Sequence, residues 1–172
     1  MGYIVVGNDL ESKMIEIRDI MVVWRGTMLP SKWYEEMQRD LEPLGYKEAK
    51  VERGFSRIYK SKSISTRYNK TSALEQVIEE IKRLTKFYKS TGEKVSVTVT
   101  GHSLDDILAL LNTYAAAMRF PTLLINFISF GAPRVGNMAF RDELHHRGVK
   151  ALNYNRIRSS PSNAGYCHYL HV

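Results

Sequence analysis

Cysteine is almost absent: Cys167 is the only one in 172 residues. No disulfide can therefore close within the chain, and a reducing compartment is expected. No apolar run approaches the ~20 residues that a membrane-spanning helix needs. The opening stretch MGYIVVGNDLESK has neither the basic segment nor the sustained apolar segment of a secretory signal. Together these absences predict a soluble, cytoplasmic protein. Internal repeats and low-complexity tracts are also missing. The net charge is +7, yet the lysines and arginines are scattered among acids and apolar residues, with no basic stripe or aromatic platform. That distribution predicts a solvated surface and argues against nucleic acid as a partner. A peripheral contact with an anionic lipid surface is the alternative left open. No metal or cofactor is expected.

What is present is enough apolar content, 44% of the chain, for one core, so a single domain over 1–172 is expected. Strand and helix patterns alternate. Tyr3 to Val6 is a short apolar strand. Ile15 to Trp24 alternates and ends in the apolar MVVW, closed by Arg25-Gly26-Thr27. After Pro30, the residues Trp33, Met37, Leu41 and Leu44 recur at helical spacing, predicting an amphipathic helix over Ser31 to Leu44. Lys50 to Ile58 is expected to be extended. Thr71 to Lys89 is the clearest helix, capped by Thr71 or Ser72 with Glu75 at the capping-box position. Val95 to Thr100 is a strand feeding a helix that runs to about Met118. Leu123 to Phe130 is a buried strand, and Asn137 to His146 is a helix with His145 and His146 on its exposed face. The order predicts an α/β fold with a mostly parallel central sheet and helices on both faces.

The segment VSVTVTGHSLDDILALL carries the chemistry. Gly101-His102-Ser103 places a serine two residues after a glycine, at a sharp break between strand and helix. This is the spacing of a nucleophile elbow, where a residue without Cβ leaves room for the turn. A serine hydroxyl needs a base to accept its proton, and the oxyanion it creates needs aimed N–H donors. Leu104, directly after the serine at a helix N-terminus, supplies one such donor. The second glycine of the G-x-S-x-G pattern is Asp105 here. Asp105 and Asp106 read either as first-turn carboxylates favourable to the helix dipole or as an interference beside a developing negative charge. A carboxylate at 105 is expected to need space and solvent. His102, adjacent to the serine, is expected to point away from it.

These segments resemble the plant phospholipase A1 group of the class 3 lipases, α/β-hydrolases related to fungal triacylglycerol lipases. The resemblance rests on MGYIVV, VVWRGT, KVERGFSRIYKSKS, YNKTSALEQVIEEIKRL, VTVTGHSL and ISFGAPRVGNMAFRDEL, and covers roughly residues 1 to 150. It implies a chain incomplete at both ends relative to the family, with 151–172 divergent or shortened. By resemblance, the second oxyanion donor is the N–H of Thr27. The catalytic base would come from the tail Cys167-His168-Tyr169-Leu170-His171, with His168 preferred to His171. The acid would fall in Ala151 to Pro161, which contains no carboxylate and places Arg158 or Ser159 there. The helix after Arg25-Gly26-Thr27 corresponds to a lid, with Met28, Leu29 and Trp33 as lipid contacts, or it simply packs on the body. The resemblance implies hydrolysis of the sn-1 acyl ester of a glycerophospholipid through Ser103, without a cofactor. The competing reading is a catalytically impaired or inactive α/β-hydrolase-like protein, either a binding module or a degenerate copy.

Overall fold

A computed structural model of the chain describes residues 2–25, 40–44, 48–63, 65, 70–103, 105–131 and 135–154. A five-stranded sheet organises them. Its strands are β1 (Gly2–Val6), β2 (Arg18–Trp24), β5 (Val95–His102), β6 (Leu124–Phe130) and β7 (Lys150–Tyr154), side by side in that order. β1 is antiparallel to β2, and the remaining pairs are parallel. Two short strands, β3 (Leu41–Pro43) and β4 (Lys50–Glu52), form a separate antiparallel pair. The mostly parallel sheet with helical crossovers is the predicted architecture, because parallel neighbours require a connection that returns over a face.

Register explains the core. Ile20, Val97 and Ile125 stand in one row across the sheet, and Val22, Val99, Phe127 and Ala151 in the next. All seven are buried, as side chains on one face of a pleated sheet must be when helices cover it. α4 (Asp105–Arg119) lies against β5, β6 and β2, and α3 (Ala73–Ser90) against β5 and β2. α4 is buried on nearly every side, because α2 (Arg53–Lys60) and α3 pack on its outer surface. The opposite sheet face, where helices were also expected, carries Tyr3, Val5, Phe130, Leu152 and Tyr154, all exposed among the described residues.

Helix starts follow the capping rules. Ser72 Oγ accepts from the Glu75 backbone N–H at 3.2 Å while the Glu75 carboxylate accepts from the Ser72 N–H at 2.9 Å. Ser72 is thus the cap, and the capping box is complete. The helix α5 (Met138–His146) begins at Asn137, whose Oδ1 accepts from Phe140 N–H at 3.1 Å and from Lys50 N–H at 3.0 Å. The Asn137 amide also donates to the Glu48 carbonyl at 2.7 Å, so one side chain caps a helix and ties it to β4. His145 and His146 are exposed as predicted.

Three expectations are corrected. Lys50 to Ile58 is extended only to Glu52; α2 follows and buries Phe55, Ser56 and Tyr59 along one side. Tertiary packing sustains so short a helix. Second, Leu41–Pro43, expected to end a helix, is strand β3, paired with β4. Residues 31–39 of that expected helix, including Trp33, lie outside the described residues, as do Met28 and Leu29. Third, the strand expected from Ile15 begins only at Arg18. A short helix α1 (Asp9–Ile15), capped by Asn8, ends at Glu16 with φ 56°. α1 buries only Ser12, so it lacks the apolar stripe that reveals a helix in sequence.

Candidate active site

Ser103 stands between the last residue of β5 and the first turn of α4, exposed to solvent, with φ 56°. A side chain in this left-handed region costs about 1–3 kcal/mol and persists only where neighbours impose it. The neighbours are identifiable. The Ser103 N–H donates to the Phe130 carbonyl on β6 at 2.9 Å, and the Ser103 carbonyl accepts from Asp106 N–H at 3.3 Å. Gly101 is needed for close approach: a Cβ built there would stand 2.8 Å from Asp106 Cα and 2.9 Å from the Asp105 carbonyl oxygen. The first turn of α4 therefore lies directly on the glycine, which is the spatial reason for a Gly-x-Ser spacing at a strand-to-helix turn.

Beside the elbow, β2 runs parallel with Val23 opposite Thr100. Trp24 thus ends at the same sheet edge as Ser103, and the chain after it leaves from there. Trp24 is buried and meets the Tyr59 ring edge-on at 5.6 Å. Tyr59 in turn accepts from the Asn112 amide at 2.9 Å, which fixes the end of β2 against α2 and α4. Burial pushes the Tyr59 hydroxyl above its ordinary pKa, partly offset by that hydrogen bond. On the other side of Ser103, Phe130 is opposite His102 and stacks on Tyr154 with ring centroids 5.7 Å apart. Phe130 and Tyr154 are both exposed. Sequence reasoning did not single out this aromatic pair, since only strand register brings the two together. His102 is exposed on the sheet face that it shares with Phe130.

Asp105 and Asp106 are not exposed first-turn carboxylates. Asp105 retains 2% of its accessible surface and Asp106 none, which corrects the expectation that a carboxylate at 105 needs solvent. Asp106 reaches across to β6, where its Oδ2 accepts from the Ser129 hydroxyl. Ser129 is the register partner of Gly101. Burial pushes the Asp106 carboxyl up to about 7, opposed by the Ser129 hydroxyl and the Phe130 backbone N–H. Glu52, at the start of α2, is likewise pushed up to about 7 by burial, opposed by the Phe55 N–H and aided by the negative charge of Asp40.

Of the sequence-predicted site residues, Ser103 is therefore placed at an exposed elbow. Leu104, Thr27, His168 and His171 lie outside the described residues, as do Arg158, Ser159 and Cys167. Among the described residues, no group of three or more His, Cys, Asp or Glu side chains converges as a metal site, and no helix is long and apolar enough to cross a membrane. A cleft of about 310 Å³ opens between β1, the end of β2 and α3, lined in part by Ile4, Val22, Trp24 and Val77; Ser103 is not part of it.

Comparison with known proteins bears on the family and the fold. The family described as "Lipase (class 3)" matches residues 21–161. The chain is 36% identical to "Phospholipase A1-Igamma1, chloroplastic" of Arabidopsis thaliana, over 88% of this chain and 33% of that protein. It is also 36% identical to "Phospholipase A1 EG1, chloroplastic/mitochondrial" of Oryza sativa subsp. indica, over 91% of this chain and 38% of that protein. The chain thus spans about a third of the length of these curated relatives. Among solved structures, a triacylglycerol lipase from Penicillium expansum superposes with a TM-score of 0.64 at 22% identity, covering 90% of this chain and 55% of that one. That likeness shows the fold. The relatives' names run against the cytoplasmic expectation, since both carry a chloroplast designation.

Proposed function

The chain belongs to the class 3 lipase family, and from that premise we propose that it acts as a phospholipase A1-like serine esterase on the sn-1 acyl ester of glycerophospholipids. The observation that carries this reading is the exposed Ser103, held at φ 56° on a strand-to-helix turn at the C-terminal edge of a parallel sheet. Ligands and catalytic groups of open α/β sheets gather at that edge. In the proposed reaction, Ser103 Oγ attacks the sn-1 carbonyl carbon as a base takes its proton, and His168 is the candidate base. The N–H groups of Leu104 and Thr27 are the candidate oxyanion donors. Collapse of the tetrahedral species expels the lysophospholipid alkoxide, which receives the proton. Water then releases the fatty acid from acyl-Ser103 by the reverse proton sequence. The exposed Phe130 and Tyr154 beside the serine suit contact with a peripheral lipid surface.

A phospholipid carrying distinguishable acyl chains at sn-1 and sn-2 tests the reading. Release from sn-1 that disappears in Ser103→Ala is the expected result. No release, or release unchanged by that substitution, overturns it. The second reading, a copy that binds without turnover, is favoured by one observation: two buried carboxyl-bearing residues occupy the first turn under the serine. A negative charge there opposes a developing oxyanion.

A further inference from the structure

The turn that carries Ser103 is pinned to two successive residues of the neighbouring strand. Ser103 N–H is bonded to the carbonyl of Phe130, and the Asp106 carboxyl is bonded to the hydroxyl of Ser129. Between the pinned positions, Asp106 N–H closes back onto the Ser103 carbonyl, while Gly101 admits the Asp106 backbone to contact distance. The arc from 103 to 106 is thus fixed at both ends to β6, leaving little freedom for the φ of the serine. The side chains that form the second pin are dry, with Asp106 at 0% and Ser129 at 1% exposure. A hydrogen bond without competing water holds its geometry more firmly than an exposed one.

We infer that Asp106 and Ser129 are positioning residues that hold Ser103 in its left-handed conformation and so aim its hydroxyl. The inference rests on the serine-nucleophile reading for its catalytic meaning, but the conformational claim stands independently. The pair requires an acceptor at 106 facing a donor at 129. An Asn at 106 keeps the acceptor, whereas a Leu removes it without leaving a large void. The same link could merely stabilise α4, so the test must separate the turn from the helix.

The test compares Asp106→Leu, Asp106→Asn and Ser129→Ala by amide exchange at Ser103, followed by NMR, and by the rate of Ser103 labelling with a fluorophosphonate. With Asp106→Leu and Ser129→Ala, exchange at Ser103 is expected to rise about tenfold and labelling to fall about tenfold. Exchange in the middle of α4 stays as in the parent. Asp106→Asn is expected to remain within about twofold of the parent in both readouts. The double variant Asp106→Leu/Ser129→Ala should be no worse than either single one, as expected when both substitutions remove one interaction. Parent-like exchange and labelling in Ser129→Ala overturns the inference, and so does an Asp106→Asn variant that behaves like Asp106→Leu. If Asp106→Leu fails to fold, Ser129→Ala and Asp106→Asn decide it. If the parent itself is not labelled, the hydrolase reading fails, and amide exchange alone decides whether the pair holds the turn.

Discussion

At the edge of the sheet where β2 and β5 begin, Arg18 is buried with its side chain 8% exposed, and each of its three guanidinium nitrogens is hydrogen-bonded. Nε donates to Glu93 at 2.7 Å, Nη2 to Asp9 at 2.8 Å and Nη1 to the Gly7 carbonyl at 2.6 Å, and the group lies 4.7 Å above the Tyr88 ring. Those bonds, to Glu93 first and Asp9 second, raise its pKa further. At the edge where the same strands end, Asp106 is buried with its carboxyl on the Ser129 hydroxyl and no cation hydrogen-bonded to it among the described residues, and burial pushes that carboxyl to about 7. A charge with enough donors and acceptors serves as an anchor and is insensitive to ordinary pH. A carboxyl held by a hydroxyl and a peptide N–H is sensitive to it. The difference separates the end of the sheet that holds the strands from the end that presents Ser103.

Breaking the anchor is expected to have the largest effect on stability. Arg18→Leu leaves Glu93 and Asp9 without their cation and releases the joint between α1, β2 and the turn before β5. Thermal denaturation should show the deepest fall in Tm of the single substitutions considered. The labelling rate per folded molecule should stay near that of the parent, because the elbow is at the other end. Equal damage to labelling would merge the two regions. Next is Gly101→Ala. Its methyl group would meet backbone atoms of Asp105 and Asp106 at 2.8–2.9 Å, none of which can swing aside. The expected cost is about 1–3 kcal/mol by urea denaturation. Loss of Ser103 labelling should exceed what that destabilisation explains.

The pH dependence sharpens the contrast. Folded Asp106 and Glu52 bind protons more tightly than their ordinary values of 3.8 and 4.5, both reaching about 7. The folded chain thus keeps protons that the unfolded chain releases. Their contribution is full below the ordinary carboxylate values, falls as pH rises towards about 7, and is absent above it. The unfolding free energy from urea denaturation should decline across that window, and Asp106→Asn should flatten part of the slope. Arg18 adds no slope there. Smallest of the four is Ser72→Ala, which removes the α3 cap and should cost about 1 kcal/mol. The first turn of α3 lies beside Trp24 but makes no part of the elbow, so labelling should not change.

How much of this was legible in the chain depended on distance along it. The β5 strand, the elbow and α4 form one continuous segment, and the capping box from Ser72 to Glu75 spans only four residues; both could be read directly. The family likeness likewise rested on contiguous segments. What escaped notice was decided across longer separations. The Ser129 bond to Asp106 spans 23 residues and that from Lys50 to Asn137 spans 87, and no local pattern announces either. β3 was misread because Leu41 and Leu44 continue a helical spacing from Trp33, although pairing with β4 fixes Leu41–Pro43 as strand. α2 was misread because its burial against α3 and α4 outweighs the local signal of an eight-residue helix. Proton affinities of the buried acids depend on burial, which spacing alone does not report.

The central claim is that this fold presents Ser103 as an activated nucleophile. A fluorophosphonate reacts covalently with such a serine, and mapping the modified peptide by mass spectrometry locates the adduct. The account predicts an adduct on Ser103 in the folded parent chain and none in Ser103→Ala. A folded parent chain that remains unlabelled, or labelling that survives in Ser103→Ala, would contradict it.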